Sequence, residues 1–285
     1  MKQKKFIPFG KPSINKIEYN KVHSVLKSKW IGTGPLVEEF EKKFRLYKKS
    51  KFALTVNSCT AALHLSFLSI GLKKGDEVIT TPMTFAASIN SIILAGCKPK
   101  LVDIRFDTFN INENLIEKSI SKKTKAILLV HFSGVPCNLK KIIKIANKYK
   151  LKIIEDCAHA IESKYENKHV GNFGDTGCFS FYANKNITTG EGGMLICKSK
   201  KIEQKVRVLR LHGMSKDAWK RYVPDSVPAD IPYQHYDVKY VGLKYNLTDI
   251  MASMGIVQLK KIEKMWKKRK KIHDFYTQEL KGLPV

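Results

Sequence analysis

Short apolar runs alternate along most of this chain with longer stretches in which apolar residues recur every three or four positions. The short runs predict β-strands, and the longer stretches predict amphipathic α-helices. Strands are predicted at residues 52–56, 77–80, 100–102, 126–130, 152–155, 178–182 and 194–197. Helices are predicted at residues 14–26, 37–47, 60–70, 85–95, 139–149, 201–211 and from 248 to about 280. Strands separated by helices of this length pair in parallel through right-handed crossovers, so the pattern predicts an α/β fold.

The alternation of strands and helices ends near residue 197. Residues 223–236 contain VPDSVPADIPY, whose prolines predict a surface loop or lid. The helix that starts near residue 248 includes KKIEKMWKKRKK, in which eight of twelve residues are basic. A solvated helix with one packed apolar stripe is the simpler interpretation, and a helix that binds polyanions is the alternative. We expect a large domain over residues 1–250 and a long basic helix over residues 251–285.

The charge of the chain is strongly positive, but its composition does not favour specific nucleic-acid recognition. The 285 residues include 52 basic and 25 acidic side chains, which gives a formal net charge of +27. Of the basic residues, 46 are lysine and 6 are arginine. Proteins that read nucleic acids favour arginine for bidentate contacts and aromatic side chains for stacking. We therefore expect at most weak, salt-sensitive adhesion to polyanions, and no specific nucleic-acid partner.

The apolar runs, the N-terminal segment and the cysteines predict a cytoplasmic protein that does not interact with a membrane. The apolar runs are far shorter than the roughly 20 residues that span a bilayer. The N-terminal MKQKKFIPFGKP lacks the apolar core of a signal peptide. The six cysteines show no CxxC spacing, which favours free thiols over a metal site.

Two polar residues follow apolar runs at positions that suit covalent catalysis. Lys185 stands between the apolar CFSFYA and the glycine-rich TTGEGG, and Asp156 ends the apolar run in IIEDCAHA. Ligands of α/β sheets gather at the carboxyl ends of the strands, so both side chains are expected near one edge. A lysine in a partly desolvated pocket becomes a usable nucleophile, and a carboxylate can hold a ring nitrogen protonated. The pair predicts an enzyme whose aldehyde cofactor forms a Schiff base with Lys185.

Three further features fit such a site, although each has a simpler explanation when taken alone. Residues 57–60, NSCT, stand between a predicted strand and a predicted helix, where N–H groups and hydroxyls can bind phosphate or merely cap the helix. Phe85 suits stacking on a flat ring, and it equally suits a core. His159 can bind a ligand hydroxyl or simply pack. Together with Lys185 and Asp156, these residues form the set of partners that pyridoxal phosphate requires.

These segments resemble the sugar aminotransferases of the DegT/DnrJ/StrS family. The resemblance extends from about residue 7 to about residue 260 and includes SKWIGTGPLVEEFE, GDEVITTPMTF, FSFYANKNITTGEGG and GLKYNLTDIMASMGIVQL. It implies the type I aminotransferase fold, with a mainly parallel mixed sheet between helices. The cofactor-site residues that it implies within the subunit are, in chain order, Thr60, Ala61, Phe85, Asp156, His159, Ser180 and Lys185. Of these, Thr60, Ala61 and Ser180 are implied to contact the cofactor's phosphate.

The other implied residues surround the cofactor ring. The resemblance implies that Lys185 carries the cofactor and acts as the catalytic base. Asp156 is implied to contact the pyridine nitrogen, Phe85 to stack on the ring and His159 to face the ring hydroxyl. The related sugar 3-dehydratases have histidine at the position of Lys185, so this lysine argues against a dehydratase.

The segment GLKYNLTDI resembles the part of the family that reaches into the active site of a neighbouring subunit, which implies a homodimer. Many members have Asn where this chain has Lys244, and Arg where it has Asn246. The Lys–Tyr–Asn version resembles the branch of UDP-4-amino-4-deoxy-arabinose aminotransferases. Either residue is a candidate for the neighbouring subunit's phosphate.

The implied activity is transfer of an amino group, with glutamate as donor, to a keto carbon of a nucleotide-linked deoxysugar in surface polysaccharide or glycan biosynthesis. Members of the family usually continue for about another hundred residues as a small C-terminal domain, which we expect to be largely absent here. The alternative is therefore a truncated, non-catalytic relative that binds pyridoxal phosphate.

Overall fold

A seven-stranded sheet forms the centre of the molecule. The computed structural model describes residues 6, 8, 10–215 and 237–283. The sheet strands are β1 (Phe52–Val56), β2 (Glu77–Thr80), β3 (Lys98–Leu101), β4 (Thr124–Val130), β5 (Lys152–Asp156), β8 (Thr176–Ser180) and β9 (Gly193–Cys197). A separate hairpin consists of β6 (Lys164–Tyr165) and β7 (Lys168–His169). All seven sheet strands were predicted from the apolar runs, within two residues at each end, whereas the two-residue strands of the hairpin were not.

The order of the strands confirms a mainly parallel, mixed sheet. The order is β1-β9-β8-β5-β4-β2-β3. Strands β8, β5, β4, β2 and β3 pair in parallel, and β9 runs antiparallel between β8 and β1. One edge therefore collects the carboxyl ends of six strands together with the first residue of β9. Such an edge is where ligands bind in open α/β sheets.

Helices cover both faces of the sheet. They are α1 (Lys16–Ser28), α2 (Pro35–Lys48), α3 (Cys59–Ser69), α4 (Ala86–Leu94), α5 (Glu113–Ile116), α6 (Leu139–Tyr149), α7 (Lys200–Leu209) and α8 (Asp249–Glu279). Buried side chains of α2, α6 and α8 form one apolar core with the sheet, and those of α3, α4 and α7 form a second core on the other face. Alternate residues of one strand enter opposite cores, as Ile153 and Ile154 of β5 do. This three-layer arrangement confirms the predicted α/β class.

Helix α3 is an apolar segment without a polar face, and it lies in the interior of the protein. Eight of its eleven residues are buried, and the Ser58 hydroxyl accepts a hydrogen bond from the N–H of Ala61 at 3.0 Å, which caps its first turn. Its first turn thus points at the ligand-binding edge of the sheet.

The long basic helix α8 packs along only part of its expected apolar stripe. Its first half is buried as far as Ile262, whereas Trp266, Ile272 and Phe275 are exposed. The apolar stripe therefore continues beyond the part that contacts the domain. The predicted loop at residues 223–236 lies outside the described residues. Among the described helices, none is both long and apolar enough to cross a membrane.

Candidate active site

A cavity of about 550 Å³ opens at the carboxyl edge of the sheet. It is bounded by the ends of several strands and by the first turns of α3 and α4. Six of the site residues implied by the sequence line it, and they are Thr60, Phe85, Asp156, His159, Ser180 and Lys185. Residues from positions 60 to 185 meet here because parallel strands end at the same edge.

One end of the cavity is an anion-binding turn. The N–H groups of Cys59 and Thr60 begin α3, and among the described residues neither has a hydrogen-bond partner. A Cβ atom on Gly193 would lie 2.5 Å from the backbone of Ser58, so only glycine allows β9 to start this close to the turn. Free N–H groups, the helix dipole and the hydroxyls of Thr60 and Ser180 are suited to a phosphate dianion.

The structure does not bring Ala61 into this cavity. Ala61 is 2% exposed, and its N–H donates to Ser58 Oγ at 3.0 Å. In this structure Ser58 already accepts from the N–H of Ala61, and the implied phosphate contact stays a prediction.

Asp156 ends β5 as a buried carboxylate at the floor of the cavity. One carboxylate oxygen accepts a hydrogen bond from Ser88 Oγ at 2.8 Å, and the other accepts one from the N–H of Ala158 at 3.1 Å. The side chain is 6% exposed. Buried charges persist when hydrogen bonds satisfy them, so this carboxylate is suited to hold a protonated ring nitrogen.

Phe85 lies at the rim of the same cavity. It is the N-cap residue of α4, with extended backbone, and its side chain is 81% exposed in the single subunit. It is thus not a core residue, which was the simpler explanation from sequence. An exposed aromatic ring beside a cavity is suited to stacking on a flat ligand.

Lys185 and His159 meet across the cavity mouth. Lys185 Nζ lies 2.9 Å from Nε2 of His159. The backbone N–H of Lys185 donates to the carbonyl of Tyr182 at 3.0 Å, which anchors the loop that carries the lysine. Burial and the neighbouring charge of Lys185 lower the pKa of His159 below its ordinary value, although Asp156 acts in the opposite direction. A lowered pKa favours the neutral imidazole, whose Nε2 can accept a hydrogen bond from the lysine.

This contact predicts a measurable coupling between the two residues. In the cofactor-free protein, Lys185→Gln is expected to raise the pKa of His159, because it removes one of the two causes that lower it. The pKa of His159 can be followed by NMR titration, with His159→Gln to assign the signal. Lys152→Gln is the control, since Lys152 pairs with Asp175 at 3.0 Å. An unchanged His159 pKa in Lys185→Gln would contradict the contact.

Lys244 and Asn246 do not line the cavity of their own subunit. Lys244 Nζ donates to Asn246 Oδ1 at 2.7 Å, and the Lys244 side chain is exposed. The segment is fixed beside the anion-binding turn, because the N–H of Asn57 donates to the carbonyl of Tyr245 at 2.8 Å.

Sequence reasoning missed a buried network beneath the cavity. Nε2 of His131 donates to Glu155 at 3.1 Å, and Nδ1 of His131 accepts from the N–H of Cys137 at 3.2 Å. Three backbone N–H groups of residues 171–174 also donate to Glu155. The available signal was a glutamate within the apolar run of β5, since an ionisable side chain in a buried strand needs partners.

The same network includes a group of metal-ligating residue types. Ligand atoms of His131, Glu155 and Cys157 lie within 4.8 Å of one another. Both ring nitrogens of His131 and both carboxylate oxygens of Glu155 already take part in hydrogen bonds. The arrangement is therefore a hydrogen-bonded support for the ends of β4 and β5.

The donor set of the cavity fits pyridoxal phosphate. The N–H groups at the start of α3, which have no partner in the described part of the chain, match its phosphate. Asp156 matches its ring nitrogen, and Lys185 matches its aldehyde. Gly193 lets β9 begin beside this turn, where a Cβ atom would clash with the backbone of Ser58 and Cys59.

Comparison with known proteins also points to an aminotransferase. Residues 12–285 match the model of the DegT/DnrJ/EryC1/StrS aminotransferase family. The uncharacterized protein MJ1066 of Methanocaldococcus jannaschii is 49% identical over 99% of this chain and 72% of its own length. The spore coat polysaccharide biosynthesis protein SpsC of Bacillus subtilis is 41% identical over 99% of this chain and 71% of its own length.

A solved structure with the same fold carries the cofactor. The putative sugar aminotransferase Spr1654 from Streptococcus pneumoniae, in its PMP form, matches with a TM-score of 0.89 and 34% identity over 97% of this chain and 73% of that chain. It is also solved in a PLP form. The chain therefore belongs to the DegT/DnrJ/EryC1/StrS aminotransferase family, whose aminotransferases bind pyridoxal phosphate.

Proposed function

We propose that this protein is a sugar aminotransferase that uses pyridoxal phosphate to move an amino group from glutamate to a keto carbon of a nucleotide-linked deoxysugar. The observation that carries the proposal is one cavity that contains Lys185, Asp156 and the open first turn of α3. A polysaccharide biosynthesis protein and a putative sugar aminotransferase are among its relatives, which supports the substrate class.

Each side chain of the cavity has a distinct task in this proposal. Bound pyridoxal phosphate supplies an electron sink for the charge that develops on the carbon bearing the amino group. Asp156 holds the ring nitrogen protonated, and Phe85 covers one face of the ring. The turn of α3 with Ser180 binds the phosphate.

Lys185 holds the cofactor's aldehyde carbon and afterwards moves the proton. Lys185 would hold the cofactor through its Nζ, and the same Nζ, when not bound to the cofactor, would be the base for the proton of the donor's α-carbon. His159 Nε2, at 2.9 Å, holds the released amine near that position. The base thus works next to the carbon whose proton it removes.

A second copy of the chain completes the site in this proposal. Lys244 and Asn246 lie beside the anion-binding turn but do not line their own cavity. We infer a homodimer in which one of them reaches the neighbouring phosphate. The Lys–Tyr–Asn sequence further suggests UDP-4-amino-4-deoxy-arabinose chemistry as the first substrate class to test.

The direct test is spectroscopic. Purified protein with added pyridoxal phosphate is expected to show the visible absorbance of the lysine-bound cofactor. Borohydride is expected to abolish this absorbance while it makes the bond between Lys185 and the cofactor permanent. Glutamate is expected to discharge this absorbance, and a nucleotide-linked keto sugar to restore it.

The outcomes of this test separate the alternatives. A protein that stays colourless contradicts the proposal. A coloured protein that does not react with glutamate supports the non-catalytic alternative. Steeply salt-dependent DNA binding without colour would instead support the polyanion-binding interpretation of α8.

A further inference from the structure

A chain of two hydroxyl groups leads to the carboxylate of Asp156. Ser88 Oγ donates to Asp156 Oδ2 at 2.8 Å, and Thr84 Oγ1 lies 2.7 Å from Ser88 Oγ. Ser88 is 0% exposed and lies 68 residues from Asp156 in the sequence. Neither hydroxyl belongs to the set of site residues implied by the sequence.

The chemistry of the groups fixes the direction of both hydrogen bonds. An ionised carboxylate only accepts, so the single hydroxyl proton of Ser88 points at Asp156. The proton between Thr84 and Ser88 must then come from Thr84. Both hydroxyls therefore donate in the direction of the carboxylate, Ser88 directly and Thr84 through Ser88.

The neighbouring Ser91 shows that this orientation is not the ordinary one for a buried helical serine. Ser91 lies three residues further along α4 and is also 0% exposed, but its hydroxyl donates to the carbonyl of Ala87 at 2.7 Å. That bond within the helix is the usual choice of such a side chain. Ser88 instead donates across the core to another element.

The first turn of α4 carries both Phe85 and Ser88. Phe85 caps the helix at the rim of the cavity, and Ser88, one turn further, donates to Asp156, which lines the cavity. The N–H of Ser88 donates to the carbonyl of Phe85 at 3.1 Å, which holds the two in register. One short segment thus places both the exposed ring of Phe85 and the hydroxyl that contacts Asp156.

We propose that Ser88 is a positioning residue that fixes Asp156 in one rotamer, with Thr84 as its support. The inference rests on the proposed binding of pyridoxal phosphate. Without the Ser88 hydroxyl, Asp156 loses a hydrogen bond, turns more freely and is held less firmly against the ring nitrogen. The ring is then a weaker electron sink.

The test compares two ligands in matched variants. Cofactor-free wild type, Ser88→Ala, Ser88→Thr and Ser91→Ala are titrated with pyridoxal phosphate and with its analogue in which C–H replaces the ring nitrogen. Ser88→Ala is expected to weaken the binding of pyridoxal phosphate about tenfold, as for a lost hydrogen bond to a charge. The same variant is expected to change the dissociation constant of the analogue less than about twofold. Ser88→Thr keeps the hydroxyl, and Ser91→Ala leaves Asp156 untouched, so both are expected to behave as wild type.

A second variant and a second measurement keep the proposal testable if Ser88→Ala fails to fold. Thr84→Val removes the outer hydroxyl at a half-buried position and is expected to shift the ligand preference in the same direction by a smaller factor. The midpoint of the pH titration of the visible absorbance is expected to shift in Ser88→Ala and not in Ser91→Ala.

The possible outcomes have separate meanings. The role of Ser88 is overturned if Ser88→Ala weakens the binding of both ligands equally. It is also overturned if both Ser88→Ala and Thr84→Val keep the wild-type preference for pyridoxal phosphate over the analogue. Wild type that binds neither ligand overturns the proposed function itself. A preference for pyridoxal phosphate that is lost in Ser88→Ala and kept in Ser88→Thr supports the inference.

Discussion

Replacement of Lys185 by alanine is expected to reduce amino-group transfer by at least about 10⁴-fold and to leave the fold intact. The side chain supplies both the nucleophile that holds the cofactor and the base that moves the proton, so its loss removes two contributions at once. Lys185 is half-buried in a loop, with its Nζ directed at His159 rather than into either core. Single-turnover absorbance changes with glutamate measure the loss.

Lys185→Arg separates charge from nucleophilicity. Arginine keeps the positive charge but stays protonated and cannot form the Schiff base, so this variant is expected to be as inactive as Lys185→Ala. The thermal midpoints of both variants are expected to stay close to that of wild type. Substantial turnover in either variant would exclude Lys185 from the role proposed here.

Replacement of Glu155 by alanine is expected to cause the largest loss of stability. Its carboxylate accepts hydrogen bonds from the N–H groups of Gly171 at 2.7 Å, Phe173 at 2.8 Å and Gly174 at 2.6 Å, and from His131 at 3.1 Å. Each buried donor left without a partner costs about 1–3 kcal/mol. Four of them amount to a large part of the roughly 5–15 kcal/mol that stabilises a folded protein.

Glu117→Ala is the matched control for this prediction. Glu117 also accepts two hydrogen bonds, from Lys148 at 2.6 Å and Tyr149 at 2.8 Å, but it lies at the surface. Surface ion pairs contribute little, so this variant is expected to unfold like wild type. Denaturant unfolding compares the two, and a stable Glu155→Ala protein would show that the network is not needed.

The stabilising effect of Glu155 should also depend on pH. Burial acts to raise the pKa of Glu155, but the hydrogen bonds from His131 and from the N–H groups of Gly174 and Gly171 outweigh it and lower the pKa. A lowered carboxyl pKa gives stability above the unfolded value of about 4.5, and this is lost as the pH falls through the folded pKa. Acid unfolding of wild type should therefore reflect this group.

The local pattern of the sequence predicted the elements well. The seven sheet strands and seven of the helices were predicted, because apolar periodicity and capping residues act over a few positions. The hairpin β6–β7 and the four-residue helix α5 were missed, since elements this short have no period to detect. The extent of packing along α8 was also missed, because an apolar stripe does not indicate where its partner ends.

Apolar periodicity and the motifs at the ends of predicted strands were enough to predict the α/β class, the family resemblance and most residues of the candidate site. The antiparallel place of β9, the contact of Lys185 with His159, the hydrogen bond of Ala61 to Ser58 and the partners of Glu155 and Asp156 became visible only in the folded chain. These features join residues that are distant in the chain, such as Ser88 and Asp156. Local periodicity reports which face of an element is buried, whereas the neighbour that meets that face depends on the order of strands in the sheet.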